Sequence, residues 1–360
     1  MPTAIAKTTT AAGAAATKTR IEALAHAQFG LLTRAQCLGL GMTPDAIRWF
    51  LRSGRWQRVH HGVYATHVGP LDWSARVSAA LLYCGEGAVA SHRTAARLHG
   101  LLDQDPHTIE VLIPANRRVT RPGQITLGTR IASGTRIGPD TRIALGTRAS
   151  GSQITVATCA DIARRTATSL WPARTTVEDT VLDMAERGDA DNAIAWLTKA
   201  CQRHRTTTAR LAQALDQRSR HRWRDLLVDA LGDVAGGVES VLEYRYVRRV
   251  ERPHGLPRAR RQRIAVIGGR RRRTDNDYEP FGVVVELDGR AGHEGEGAFR
   301  DRTRDNDTTI SGRVTLRFGW ADVDAQACEV AEDVAVVLWA RGWRGKLKRC
   351  GVGCRLTRSC

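Results

Sequence analysis

The sequence predicts an α+β multidomain protein: a winged helix-turn-helix in front, a mixed and largely helical middle region, and an α/β unit behind. Three observations predict it. Capped helical stretches crowd residues 21–52, strand-like runs with hairpin signals fill residues 261–288, and the glycine-rich "GDVAGG" (Gly232–Gly237) separates two styles of patterning. With 360 residues the chain can bury more than one core. The expected parts are a disordered basic tail (1–20), the winged helix-turn-helix (21–68), the middle region (69–234), the α/β domain (235–345) and a basic tail containing cysteines (346–360).

Charge narrows the partner. Fifty-five Lys and Arg against 37 Asp and Glu leave a net charge of +18, which calls for a polyanion, with nucleic acid ahead of a membrane surface. A high-GC genome inflates arginine, but it does not explain the surplus over acids. No stretch approaches the ~18 apolar residues of a membrane span. The first twenty residues lack the apolar run of a secretory signal. The eight cysteines are scattered, with a looser group only at the end, so no disulfide framework is expected and the cytoplasm is the expected compartment.

At the front, "IEALAHAQFG" has helical spacing and closes on Gly30. Thr33 then caps "RAQCLGLG". In "MTPDAIRWFLRSG", Thr43 is the cap, Pro44 the first helical position and Asp45 the first-turn acid. "RWQRVHHGVYA" follows as two short strands hinged near His61-Gly62, the wing. Arg48 and Arg52 share one helix face, and with Arg55 and Arg58 they are the expected DNA-binding residues. His60 and His61 alternate across a strand and therefore do not meet at one metal.

The stretch from "FGLLTRAQ" to "HHGVYA", followed by "SHRTAARLHGLL", resembles the AbiEi-type antitoxin family over residues 21–102. That resemblance implies an N-terminal winged helix that represses its own operon, and a cognate toxin as partner.

In the middle, "TIEVLIP" (Thr108–Pro114) reads as a strand. "GTRI", "GTRI", "DTRI" and "GTRA" begin at 128, 134, 140 and 146. Four units are too few for a β-helix core, so an arginine-bearing loop is expected. From "CADIARRT" to "RWRDLLVDAL" the spacing of apolar residues is helical.

At the back, "VESVLEYRYVRRV" reads as a helix, followed by the strands "RQRIAVIGG", "RRRRTDNDY" and "GVVVELDG". Whether the turn "EPFG" uses two residues or four, positions paired across it sum to 561. Asp275 then faces Glu286 and Arg273 faces Asp288, with paired Cβ atoms about 4.5–5.5 Å apart. Alternation puts Asp288 on the same face. Opposed carboxylates need a cation, and Mg²⁺ or Mn²⁺ suits them, with Arg273 as the competing counter-ion. "AFRDRTRDNDTTI" reads as a helix, "VTLRFGW" as a fourth strand and "AQACEVAEDVAVVLWARGW" as a closing helix.

"VVELDG..H", "RDRTRDN" and "LRFGW" resemble nuclease-like domains related to the very-short-patch-repair endonucleases, over about residues 235–345. The resemblance implies a restriction-endonuclease-like core, divalent-metal dependence and DNA as substrate. Residue by residue it implies Glu243 as the helix glutamate, with Asp275, Glu286 and Asp288 as catalytic and metal-binding residues. His293 matches a catalytic histidine, and Asp301, Arg304 and Asp305 match a supporting helix. Asp288 stands where the wider superfamily has lysine, so the group orienting the attacking water is open. "CGVGC" (Cys350–Cys354) supplies half of a zinc site and is read as tail without zinc. Two readings follow: a metal-dependent DNA endonuclease, or an AbiEi-like antitoxin and autorepressor with an inactive, DNA-gripping C-terminal domain.

Overall fold

Caps decide where the first helices begin. In the computed structural model, which describes residues 16–117, 130–131, 153–167, 169–267, 270–288 and 312–357, α1 (residues 16–27) ends before Gly30. Gly30 takes a φ of 77° and donates to Ala25 O at 2.7 Å. A short strand that the sequence did not announce, β1 (Leu31–Thr33), precedes α2 (Arg34–Gly39). Thr33 and Gln36 form a reciprocal capping box. Thr43 caps α3 (Pro44–Arg52), with Pro44 and Asp45 where the sequence places them. β2 (Gln57–His60) and β3 (Val63–Ala65) turn at Gly62, whose φ is 74°, and the sheet order is β1-β3-β2. Leu32, Cys37, Ile47, Trp56 and Tyr64 form the small core beneath.

The chain divides into two compact units, Met1–Gly188 with Gln213–Arg224, and Asp189–Ala212 with Asp225–Cys360. In the first unit α4 (Trp73–Cys84) is apolar on two sides. Ala75 and Ala79 seal the three-stranded sheet, while Trp73, Val77, Ala80 and Leu81 pack on a second sheet. That second sheet is the main correction to a largely helical middle. It comprises β4 (Val89–Ala90), β5 (Thr108–Pro114), β6 (Arg130–Ile131), β7 (Gln153–Cys159), β8 (Thr166–Ala167) and β9 (Arg174–Thr175), in the order β6-β7-β5-β4-β9-β8. α5 (His92–Leu98) lies between β4 and β5 in the chain, and α6 (Val177–Arg187) follows β9. "CADIARRT" is not a helix: Cys159 ends β7, the next residues turn, and Thr166 pairs with Thr175. Most of the "GTRI" repeat lies outside the described residues.

The turn carries Arg165 inward. Arg165 is 5% exposed and reaches Asp179 at 3.2 Å and Asp183, two acids one helical turn apart on α6. Arg218, from the second stretch of this unit, reaches both acids at 2.9 Å. His221 Nε2 donates to Leu182 O at 3.0 Å. These bonds explain why Gln213–Arg224 belongs with the first unit.

In the second unit, α7 (Ala190–Gln202) and α9 (Arg224–Ala235) pack Ile194 and Ala230 against Val238, Tyr244 and Val247. α8 (Thr208–Asp216) lies between them in the chain. The division therefore falls ahead of "GDVAGG", because these helices bury their apolar faces on the C-terminal residues. α10 (Val241–Arg245) continues as a π-helical turn, Tyr246–Glu251. The strands β10 (Arg260–Ile267), β11 (Arg270–Tyr278), β12 (Val283–Asp288) and β13 (Val314–Gly319) form one sheet in that order, antiparallel except for the parallel pair β12 and β13. α11 (Trp320–Ala325) and α12 (Ala327–Ala340) follow. Tyr278, Val283 and Val285 face the core with Tyr246, Val330, Val334 and Leu338.

Arg165→Met tests the charge lock of the first unit. It strands two buried acids on a single arginine and is expected to cost about 3–5 kcal/mol in denaturant unfolding. A loss within about 0.5 kcal/mol, as at an ordinary surface site, contradicts this role.

Candidate functional site

Two surfaces carry the residues singled out by the sequence. On α3, Arg48 and Arg52 are exposed, as are Arg55 and Arg58 in and before β2. Asp45 pairs with Arg48, and the Arg55 guanidinium lies 4.8 Å from the ring centre of Trp49, a tryptophan left 46% exposed. His60 is buried against Tyr83, with ring centres 5.2 Å apart, while His61 is exposed at the strand turn. This segment thus exposes four arginines and an aromatic ring, groups suited to phosphates and bases.

The second surface is one face of the two central strands, β11 and β12, of the four-stranded sheet. The observed register pairs Asn276 with Val285, Asp277 with Val284 and Tyr278 with Val283, the sum-561 register counted from the sequence, with Glu279–Phe281 as a 3-10 turn. Asp275, Asp277, Glu286 and Asp288 therefore share a face. The ladder ends one position short of Asp275, whose Oδ2 accepts from Leu287 N at 2.8 Å. Across the other neighbour the ladder also breaks at Gln262, which takes a φ of 50°. Its Nε2 donates to Glu243 Oε2 at 2.9 Å, and Glu239 N donates to the same oxygen at 3.0 Å. Burial pushes the Glu243 carboxyl up; these hydrogen bonds oppose the rise, and the charge of Asp275 adds to it.

Four sequence expectations need correction or placement. Arg273, expected as the counter-ion of the carboxylates, pairs with Glu239. Asp277, which the sequence did not single out, is the fully buried acid of this face and is held by Arg263 at 3.2 Å and by Arg313. Glu286 lies 3.8 Å from Arg317, and among the described residues Asp275, Glu286 and Asp288 do not converge on one ion-sized point. His293, Asp301, Arg304 and Asp305 lie outside the described residues. The tail cysteines, by contrast, are not alone: Cys350 and Cys354 meet Cys328 of α12 and His254. Residues spread over a hundred positions leave no local spacing for a sequence reading to find.

Among known protein families, one model coincides with the first surface. Residues 20–67 match the family described as transcriptional regulator, AbiEi antitoxin. The match ends within the first unit. No curated protein matches the chain. Among the described residues no helix is long and apolar enough to cross a membrane.

The buried Glu243 carboxyl has a pH signature. Its carboxyl binds a proton more readily in the folded chain, so ionisation opposes folding. That cost is absent below the ordinary value of 4.5 and complete once pH exceeds the raised folded value. Glu243→Gln keeps an acceptor for Glu239 N and should raise Tm at neutral pH, an advantage that shrinks as pH falls towards 4.5. A pH-independent difference in thermal unfolding contradicts the assignment.

Proposed function

We propose that the protein is a DNA-binding transcriptional regulator of the AbiEi antitoxin kind, with residues 16–65 as a winged helix-turn-helix and α3 as its recognition helix. The observation that carries this reading is coincidence. The family match over 20–67 falls on the order α1-β1-α2-α3-β2-β3, and that segment exposes Arg48, Arg52, Arg55 and Arg58. The net charge of +18 supports a polyanionic partner, and an operon-encoded toxin is the protein partner that the family's description suggests.

A second reading rests on the second unit. Three antiparallel strands followed by a parallel fourth, with Asp275 and Glu286 on one face, agree with a restriction-endonuclease-like core needing Mg²⁺ or Mn²⁺. The donors fit such an ion only in part. Asp275 is engaged by Leu287 N, Glu286 faces Arg317, and the carboxylates do not converge. No hydrolytic step is therefore derived through a metal.

Binding to the DNA upstream of the protein's own gene tests the first reading. Specific retardation is expected, and Arg48→Ala with Arg52→Ala should weaken it and lower the slope of log K against log salt by about two. Equal affinity for unrelated DNA, or no effect of the pair, overturns it. Nicking of plasmid DNA with Mg²⁺ or Mn²⁺, abolished by Glu286→Ala, tests the second reading; binding without cleavage in either ion overturns that one alone.

A further inference from the structure

We propose that His254, Cys328, Cys350 and Cys354 form a structural zinc site that pins the C-terminal segment to the second unit. The proposal does not depend on either functional reading above. Four potential ligand atoms from three separate stretches, the turn after the π-helical residues, the start of α12 and the tail, lie within 4.8 Å of one another. Cys328 Sγ is 3.8 Å from Cys350 Sγ and 3.8 Å from Cys354 Sγ. A tetrahedral zinc with Zn–S bonds of about 2.3 Å sets its sulfurs about 3.8 Å apart.

The histidine points to a ligand independently of the thiols. His254 is completely buried, and its Nδ1–H donates to Val250 O at 2.9 Å. That bond fixes the tautomer and leaves the lone pair of Nε2 facing inward, and Nε2 is a buried atom with no hydrogen-bond partner. An imidazole held through one nitrogen by a backbone carbonyl, with the other nitrogen left open, is the outer-shell arrangement of a metal ligand. A merely structural histidine would have found a donor for that nitrogen.

The surrounding backbone is arranged for a thiolate. Arg355 N donates to Cys328 Sγ at 3.4 Å, and Cys354 N donates to Gly351 O at 3.1 Å, which closes the tight turn between Cys350 and Cys354. Lys348 N donates to His254 O at 2.9 Å, so the tail is tied to the histidine's own backbone. Residues 343–350 and 354–357 have no regular secondary structure, yet Cys354 and Leu356 are buried. A segment with so little ladder hydrogen bonding needs another staple, and metal binding supplies folding energy of that kind.

The donor set selects the metal and the role. Three thiolates and an imidazole suit zinc; a hard cation prefers oxygen. Four protein ligands leave no open position, so the site is structural and not catalytic. The zinc and three thiolates leave one negative charge beside Lys348, Arg349 and Arg355 in the sequence.

The test is the metal content of the full-length chain purified with reductant and without added metal. One zinc per chain is expected. Replacement by Co²⁺ should give thiolate-to-metal charge transfer and the visible bands of tetrahedral geometry. His254→Ala and Cys354→Ser should each lose more affinity than the about 10–100-fold cost of removing an outer-shell partner, while His254→Cys retains binding and Cys201→Ser changes nothing. Chelation should lower Tm and remove hydrogen-exchange protection from residues 343–357. Because content and spectrum are read on the unmodified chain, a variant that fails to fold does not blur the result. No bound zinc with no tetrahedral Co²⁺ spectrum, or a disulfide joining Cys328 to Cys350 or Cys354 in the protein isolated with thiols blocked, overturns the site.

Discussion

Neutralising buried carboxylates is the constraint on which the rest of this structure depends. A carboxylate withdrawn from water is tolerated only when paired and hydrogen-bonded. Asp179 and Asp183 take Arg165 and Arg218; Asp277 takes Arg263 and Arg313; Glu251 takes Arg261; Asp233 takes Arg252. Several of these pairs join residues far apart in the chain, so they specify which stretches meet. Part of the arginine excess is therefore architectural. Arg48, Arg52, Arg55 and Arg58 form a different population, exposed on the segment that matches a transcriptional-regulator family.

Against that rule, Glu243 and Asp275 stand apart. Among the described residues neither has an arginine ion pair; their partners are backbone N–H groups and the Gln262 amide. Gln262 reaches Glu243 from a left-handed backbone conformation that interrupts the β10–β11 ladder. These two acids are held here without an arginine ion pair, and Gln262 takes a left-handed backbone conformation to reach one of them. Such positions concentrate where function requires them. This is why the second unit retains a functional reading even though its carboxylates do not gather at one point.

What was legible in the sequence was local. Thr33 and Thr43 act on N–H groups three residues away, so their caps could be read directly. The β11–β12 register depended only on a four-residue turn, and parity sufficed to put Asp275 and Glu286 on one face, although the ladder stops at Asn276 and Val285. The six-stranded sheet was hidden because β4, β6, β8 and β9 are two residues each, too short to show a period of two. "CADIARRT" misled because apolar residues at helical spacing also fit a turn that drops Arg165 into the core. The unit boundary was hidden because only long-range packing, Ile194 and Ala230 on Tyr244 and Val247, assigns α7 and α9 to the C-terminal side.

The same distinction separates the two metal questions. The carboxylate face is a hard-donor set, partly exposed and engaged by Leu287 N and Arg317, so any cation there would have to displace existing partners. The His254 and cysteine cluster is a soft-donor set whose histidine nitrogen lacks a partner and whose sulfurs already stand at zinc spacing. The two sets would not compete for one ion. Trp343 and Leu347, in the segment leading to Cys350, pack against the core formed by Tyr246, Tyr278 and Val334. Trp343 and Leu347 thus tie that segment to the hydrophobic core under the sheet, on the face opposite Asp275 and Glu286.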